Sequence, residues 1–197
     1  DLLIRDAFRV ERDLPVSRRG RDYTEYKLPG GRILRVRLLH LDKIEALTGV
    51  DLLYEHYSNT RLEARLVALQ YKLLKNGVMR DIPRLRQQLD KMRTGFCEER
   101  PCAQGQEPAC YRMPYCAAFL RPTDELQSAD VRLHTAGYYI PCCAVESLIE
   151  RGEHQGLQIK ETSISSNAMS LDTFEKLFRS ERLGSVWLKY DEIEAYH

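Results

Sequence analysis

Apolar and polar residues alternate over 22–39, and the alternation breaks at Pro29, Gly30 and Gly31. Alternation sends successive side chains to opposite faces of a strand, and Pro-Gly punctuates turns. A hairpin is therefore predicted, with Arg35 and Arg37 on the polar face of its second arm. Residues 51–57 form an apolar run that reads as a strand. Residues 66–72 form a second run, ending in Gln70 and Lys72. The rhythm then changes to helical spacing. Ile82, Leu85, Leu89 and Met92 predict an amphipathic helix over 81–93, with Asp81 as N-cap and Pro83 in its first turn. A shorter helix over 41–48 stops at Gly49, and a capped helix over 170–178 turns Leu171, Phe174, Leu177 and Phe178 inward. Strands are expected at 186–190 and, within an otherwise polar loop over 151–168, at 157–159. Residues 1–14 fit a short amphipathic helix, and 15–20 an exposed basic loop that is either a phosphate contact or simply solvated.

Strands and helices interleaved in this way predict an α/β fold. A length of 197 residues suits one domain and is ample for a core. Lys and Arg number 30 against 29 Asp and Glu, which argues against a binder held by bulk charge while leaving room for a local basic groove. Arg80, Arg84, Arg86, Lys91 and Arg93 flank the 81–93 helix and read equally as a nucleic-acid path or as a solvated face. No apolar run approaches the ~20 residues that span a bilayer. No signal peptide is expected at the start, and with no initiator methionine the chain also fits a piece of a longer protein. An intracellular, cytoplasmic setting without a membrane partner is the default expectation. Walker A, GxGxxG and hydrolase-elbow motifs are all missing from the sequence.

Candidate chemistry gathers around the two apolar runs. A lysine and an amide are costly beside Val67, Ala68 and Leu69 unless they have partners or a task. Gln70 and Lys72, two apart in a strand, point to the same face. An aspartate followed by Gln-x-Lys is a way to hold a divalent cation and a phosphate together. Asp51 followed by Gln70-Tyr71-Lys72 resembles the catalytic signature of the PD-(D/E)xK nuclease superfamily. The nearest variant has glutamine in the second position, as in Mrr-type restriction endonucleases. Gly49 and Val50 stand where that signature places proline before the aspartate. The resemblance implies a restriction endonuclease-like core over about 40–95, a mixed central sheet flanked by helices. It further implies Mg²⁺ or Mn²⁺ held by Asp51 and Gln70, with Glu45 on the preceding helix as a helper, and Lys72 beside the attacked phosphate. The chain would then be an endodeoxyribonuclease, the effector domain of a bacterial restriction or antiphage defence system. Its partner would be DNA, and its assembly a homodimer or a larger defence complex. Glu45 reads equally as a surface glutamate. Glu55 shares a strand face with Asp51 as a reserve ligand, and His56 points the other way as a packing residue.

Four cysteines, Cys97, Cys102, Cys110 and Cys116, lie in a segment poor in aliphatic residues. Such a segment has no core of its own, and four thiolates around Zn²⁺ would fold it. A zinc-binding insert over about 96–118 is therefore expected, followed by an α/β extension over 119–197. Disulfides and unligated thiols are the alternatives. Cys142 and Cys143 sit among apolar residues and are expected to pack in the core, or to replace a zinc ligand. Two rival functions remain open from the sequence. One is a non-catalytic, zinc-containing nucleic-acid or protein-binding module. The other is a metal-dependent phosphoesterase acting on RNA or nucleotides.

Overall fold

The predicted hairpin forms as β2 (Tyr23–Lys27) and β3 (Ile33–Leu38), paired antiparallel from Tyr23 opposite Arg37 to Lys27 opposite Ile33. Both turn glycines, Gly30 and Gly31, take φ of 79°, a conformation that favours glycine. The computed structural model describes residues 14–39, 47–98, 116–124, 138–152, 155–194 and 196. The helix expected over 1–14 thus lies outside the described residues, except Leu14. The basic stretch expected as a loop is instead β1 (Val16–Arg19), all four residues exposed, paired with β2 at the edge of the sheet. All four side chains are exposed, so it carries no hydrophobic pattern; main-chain pairing with β2 makes it a strand.

β3 pairs antiparallel with β4 (Leu52–Tyr57), and β4 with β5 (Glu63–Leu74). β7 (Ala118–Asp124) lies parallel to β5, so the chain must cross over between them. That connection contains the two-residue β6 (Val78–Met79) and α1 (Ile82–Arg93). β8 (Tyr138–Pro141) and β11 (Met169–Ser170) continue the sheet antiparallel, and β12 (Leu188–Lys189) pairs the start of β5. Among the described residues the order is β1-β2-β3-β4-β5-β7-β8-β11, a mixed sheet. A smaller sheet sets β10 (Leu157–Lys160) between β6 and β9 (Glu150–Arg151).

Each face of the large sheet has its own core. Leu53, Ala64, Leu66, Ala68 and Leu120 pack with Ile82, Leu85, Leu89 and Met92, the face of α1 that the spacing predicts. Leu34, Tyr54, Val67, Leu69 and Phe119 pack on the other side with Phe174 and Phe178 of α3 (Leu171–Arg179). Ser170 caps α3, its hydroxyl accepting the Thr173 N–H at 3.3 Å. Asp81 precedes α1 as expected but makes no side-chain cap. A mixed central sheet with helices against both faces is thus present.

Three expectations change in the second half. Residues 161–167, read as loop, form α2 (Glu161–Asn167), anchored by buried Ile164. The last strand shrinks to β12, because α4 (Tyr190–Glu194) begins at Tyr190. Of the adjacent cysteines, Cys142 is buried with its thiol 3.5 Å from the Leu89 carbonyl, whereas Cys143 is exposed. No helix among the described residues is long and apolar enough to cross a membrane.

Candidate functional site

Asp51 enters the sheet one residue before β4. Residues 47 and 48 are helical, and the chain leaves that turn at Gly49 with φ of 69°. A Cβ at Gly49 would stand 2.4 Å from the Gln88 carbonyl oxygen of α1, so only glycine lets the turn pass so close to the helix. Asp51 is then pinned from both sides. Its N–H donates to the Leu69 carbonyl and its carbonyl accepts the Leu39 N–H, each at 2.9 Å. It thereby ties the end of β3 to the middle of β5.

The side chains converge at the same point. Pairing of Leu52 with Leu69 brings Asp51 alongside Gln70. The Gln70 amide nitrogen donates to Asp51 Oδ2 at 2.6 Å, and the Tyr71 N–H donates to the same oxygen at 2.8 Å. Asp51 and Gln70 are only 3% and 2% exposed. Gln70 Oε1 is buried with no hydrogen-bond partner among the described residues. Buried amide oxygens are ordinarily satisfied, so an orphan beside a carboxylate marks a place for a further donor or a cation. Lys72 is half-buried and follows Gln70 by two residues in β5, on the strand face that Gln70 and Leu74 share. The structure therefore brings Asp51 and Gln70 into contact and puts Lys72 on their face of the strand.

Other expected ligands fare differently. Glu55, the reserve ligand, is 0% exposed and both of its oxygens are taken. Oε1 accepts Arg37 Nε at 2.9 Å; Oε2 accepts the Tyr57 hydroxyl at 2.5 Å and Arg35 Nη1 at 3.4 Å. Arg35 also donates to Glu25 and Arg37 to Asp22, closing a network across β2, β3 and β4. Burial works against charge on both arginines, but the carboxylates outweigh it and raise their pKa values. Burial, followed by the Glu55 charge, pushes the Tyr57 hydroxyl above its ordinary value. Glu55 is thus committed to the network and is withdrawn as a ligand. Glu45 lies outside the described residues. Cys97, just beyond α1, and Cys116, just before β7, are half-buried; Cys102 and Cys110 lie outside the described residues. Among the described residues no three His, Cys, Asp or Glu side chains cluster to hold a metal. The contact pair at Asp51 is a carboxylate with an amide, a donor set that falls outside that grouping.

His56 faces away from Asp51, as the alternation predicts, and lies over the Phe178 ring with centroids 4.7 Å apart. Burial first, then the Arg32 and Arg65 charges, lower its pKa to about 3, so the imidazole is neutral at physiological pH. Sequence reasoning missed two features. One is the clamp of the Tyr71 N–H on Asp51, a main-chain group with no sequence signal. The other is the carboxylate side of the arginine network, whose signal was a charged residue within each of three successive strands, Glu25, Arg35 and Glu55.

Compared with protein-family models, curated proteins and solved structures, the chain matches none of them.

Proposed function

We propose that the chain is a divalent-metal-dependent endonuclease that hydrolyses phosphodiester bonds in DNA. The observation that carries this reading is the buried, unpartnered Gln70 Oε1 beside the Asp51 carboxylate, with Lys72 on the same strand face. The Asp51 carboxylate and Gln70 Oε1 are the hard oxygen donors that Mg²⁺ or Mn²⁺ prefers. A bound divalent ion supplies charge neutralisation on the phosphate and an acidified water. The Tyr71 N–H and the Gln70 amide nitrogen hold the carboxylate in place whether or not an ion is present. The Lys72 ammonium stabilises negative charge that develops on the phosphate and orients the attacking water. The mixed sheet with helices on both faces supports a restriction endonuclease-like core, and Glu45 and the Zn²⁺ insert at Cys97, Cys102, Cys110 and Cys116 belong to the same proposal. So do the restriction or antiphage role, and a homodimer or larger complex as the assembly.

One observation favours a second reading, a non-catalytic zinc-containing binding module. Asp51 is almost fully buried and its Oδ2 already accepts two hydrogen bonds, which is also how a purely structural aspartate closes a strand end. Plasmid cleavage with Mg²⁺ or Mn²⁺ separates the two. The nuclease reading expects cutting that EDTA and Lys72→Ala both abolish. It also expects a stability gain that needs no substrate. At tenfold excess of Mg²⁺ over its dissociation constant, linkage gives about 1.4 kcal/mol, lost in Asp51→Asn. Cutting that persists in Lys72→Ala rejects the catalytic assignment. A chain that neither cuts nor gains stability with Mg²⁺ is the binding module.

A further inference from the structure

A second glutamine, Gln88 of α1, also buries an amide oxygen. Its Oε1 has no hydrogen-bond partner among the described residues, and the residue as a whole is half-buried. Gln88 stands beside the stripe of Ile82, Leu85, Leu89 and Met92 that α1 sets into the core. A leucine would pack there without leaving a polar atom to satisfy, so the oxygen marks a place for a further donor or a cation. Position ties Gln88 to Asp51. The Gln88 carbonyl oxygen lies 2.4 Å from where a Cβ of Gly49 would stand. Asp51 follows Gly49 by two residues, which span no more than about 7 Å of chain. α1 also lies on the same side of the sheet as the pair. Leu53 and Ala68 share strand faces with Asp51 and Gln70, and both belong to the core that holds Leu85 and Leu89. The other flank of α1 turns the opposite way. There Arg86 donates to Glu146, and the Leu89 carbonyl accepts the Cys142 thiol, both just beyond β8. Gln88 therefore flanks the helix on the β4 side, where Asp51 and Gln70 meet.

We propose that Gln88 Oε1 is a third protein ligand of the divalent ion at Asp51 and Gln70. The proposal rests on the metal-dependent reading given above. Mg²⁺ and Mn²⁺ favour about six hard oxygen donors, and amide carbonyl oxygens are among them. One carboxylate and two amide oxygens leave about three positions for water and phosphate oxygen. Because both amides are neutral, only the Asp51 carboxylate offsets the charge of the ion, which keeps a net positive charge towards the phosphate. The buried oxygens of Gln70 and Gln88 thereby find the same partner.

Mn²⁺ binding without DNA, read from the electron paramagnetic resonance signal of the unbound ion, tests this apart from catalysis. The wild type should bind Mn²⁺ saturably and Asp51→Asn should not, a comparison that tests the underlying metal site. Losing even a supporting partner of a ligand typically costs about 10–100-fold in metal affinity, so Gln88→Leu should weaken Mn²⁺ by about tenfold or more. Gln88→Glu adds a charged oxygen and should bind Mn²⁺ more tightly than the wild type. Gln88→Leu should melt in EDTA no lower than the wild type, since leucine leaves no amide to satisfy. If the wild type binds no Mn²⁺, or Asp51→Asn binds it equally well, the site at Asp51 and Gln70 is rejected and this ligand with it. If Asp51→Asn loses Mn²⁺ while Gln88→Leu binds it as tightly as the wild type, the metal site stands and Gln88 is no part of it. Should Gln88→Leu fail to fold, Gln88→Glu decides, and binding no tighter than the wild type rejects the ligand.

Discussion

Acidification should destabilise this fold through His56 well before its surface carboxylates titrate. The imidazole is buried against Phe178 between the charges of Arg32 and Arg65, and its pKa falls to about 3 from an ordinary 6.5. The folded pKa is depressed, so the folded chain stays neutral at His56 while the unfolded chain takes up a proton. Stability is therefore intact above about pH 6.5 and is lost progressively as the pH falls towards 3. A difference of about 3.5 units corresponds to roughly 5 kcal/mol over the full range. Between about pH 7 and pH 5 the loss is about 2 kcal/mol, or ~4–8 °C in Tm for a chain of this size. Urea denaturation of the wild type and of His56→Phe at stepped pH isolates the effect, because the other titrating groups are common to both. The wild type should lose about 2 kcal/mol more than the variant over that interval. Parallel pH profiles would refute the burial and charge argument for His56.

Glu55→Ala should cost about 2–3 kcal/mol, because it removes the buried carboxylate that Arg35 and Arg37 share and leaves each guanidinium with one acidic partner, Glu25 or Asp22; a loss under about 1 kcal/mol by urea denaturation would mean that solvent replaces it. Gly49→Ala meets both a φ of 69° and the Gln88 carbonyl at 2.4 Å from the new Cβ. Its expected loss of about 1–3 kcal/mol is read by thermal melting, and a variant as stable as the wild type would show that the turn relaxes freely.

Local pattern was enough for the elements that bury an amphipathic face. Ile82, Leu85, Leu89 and Met92 predicted α1, and the glycines between Leu28 and Ile33 predicted the first hairpin, because apolar burial and positive φ leave marks in the residue types themselves. The strand period of two also placed Gln70 and Lys72 on one face, and His56 opposite Asp51. Elements held by their surroundings left no such mark. β1 is four exposed residues that pair, among the described residues, with β2. α2 is rich in Ser and Thr, weak helix formers whose hydroxyls bond back to main-chain carbonyls, and its docking through Ile164 overrides that preference.

The candidate site divides along the same line. Sequence alone supplied the residue types, a carboxylate, an amide and a lysine at suggestive spacing, and the expectation that such polar groups within apolar runs need partners. Tertiary structure decided the rest, because contact between Asp51 and Gln70 depends on the register of β4 against β5, and a slip of one residue would turn every side chain to the other face. The same register aligns Glu25, Arg35 and Glu55 in one row, so that Glu55, equivalent to Asp51 in the strand pattern, is locked between arginines while Gln70 keeps an unpaired oxygen. Partners across a sheet lie ten or more residues apart in the chain, and it is their pairing, a property of the whole fold, that commits Glu55 to the arginines and sets Asp51 against Gln70.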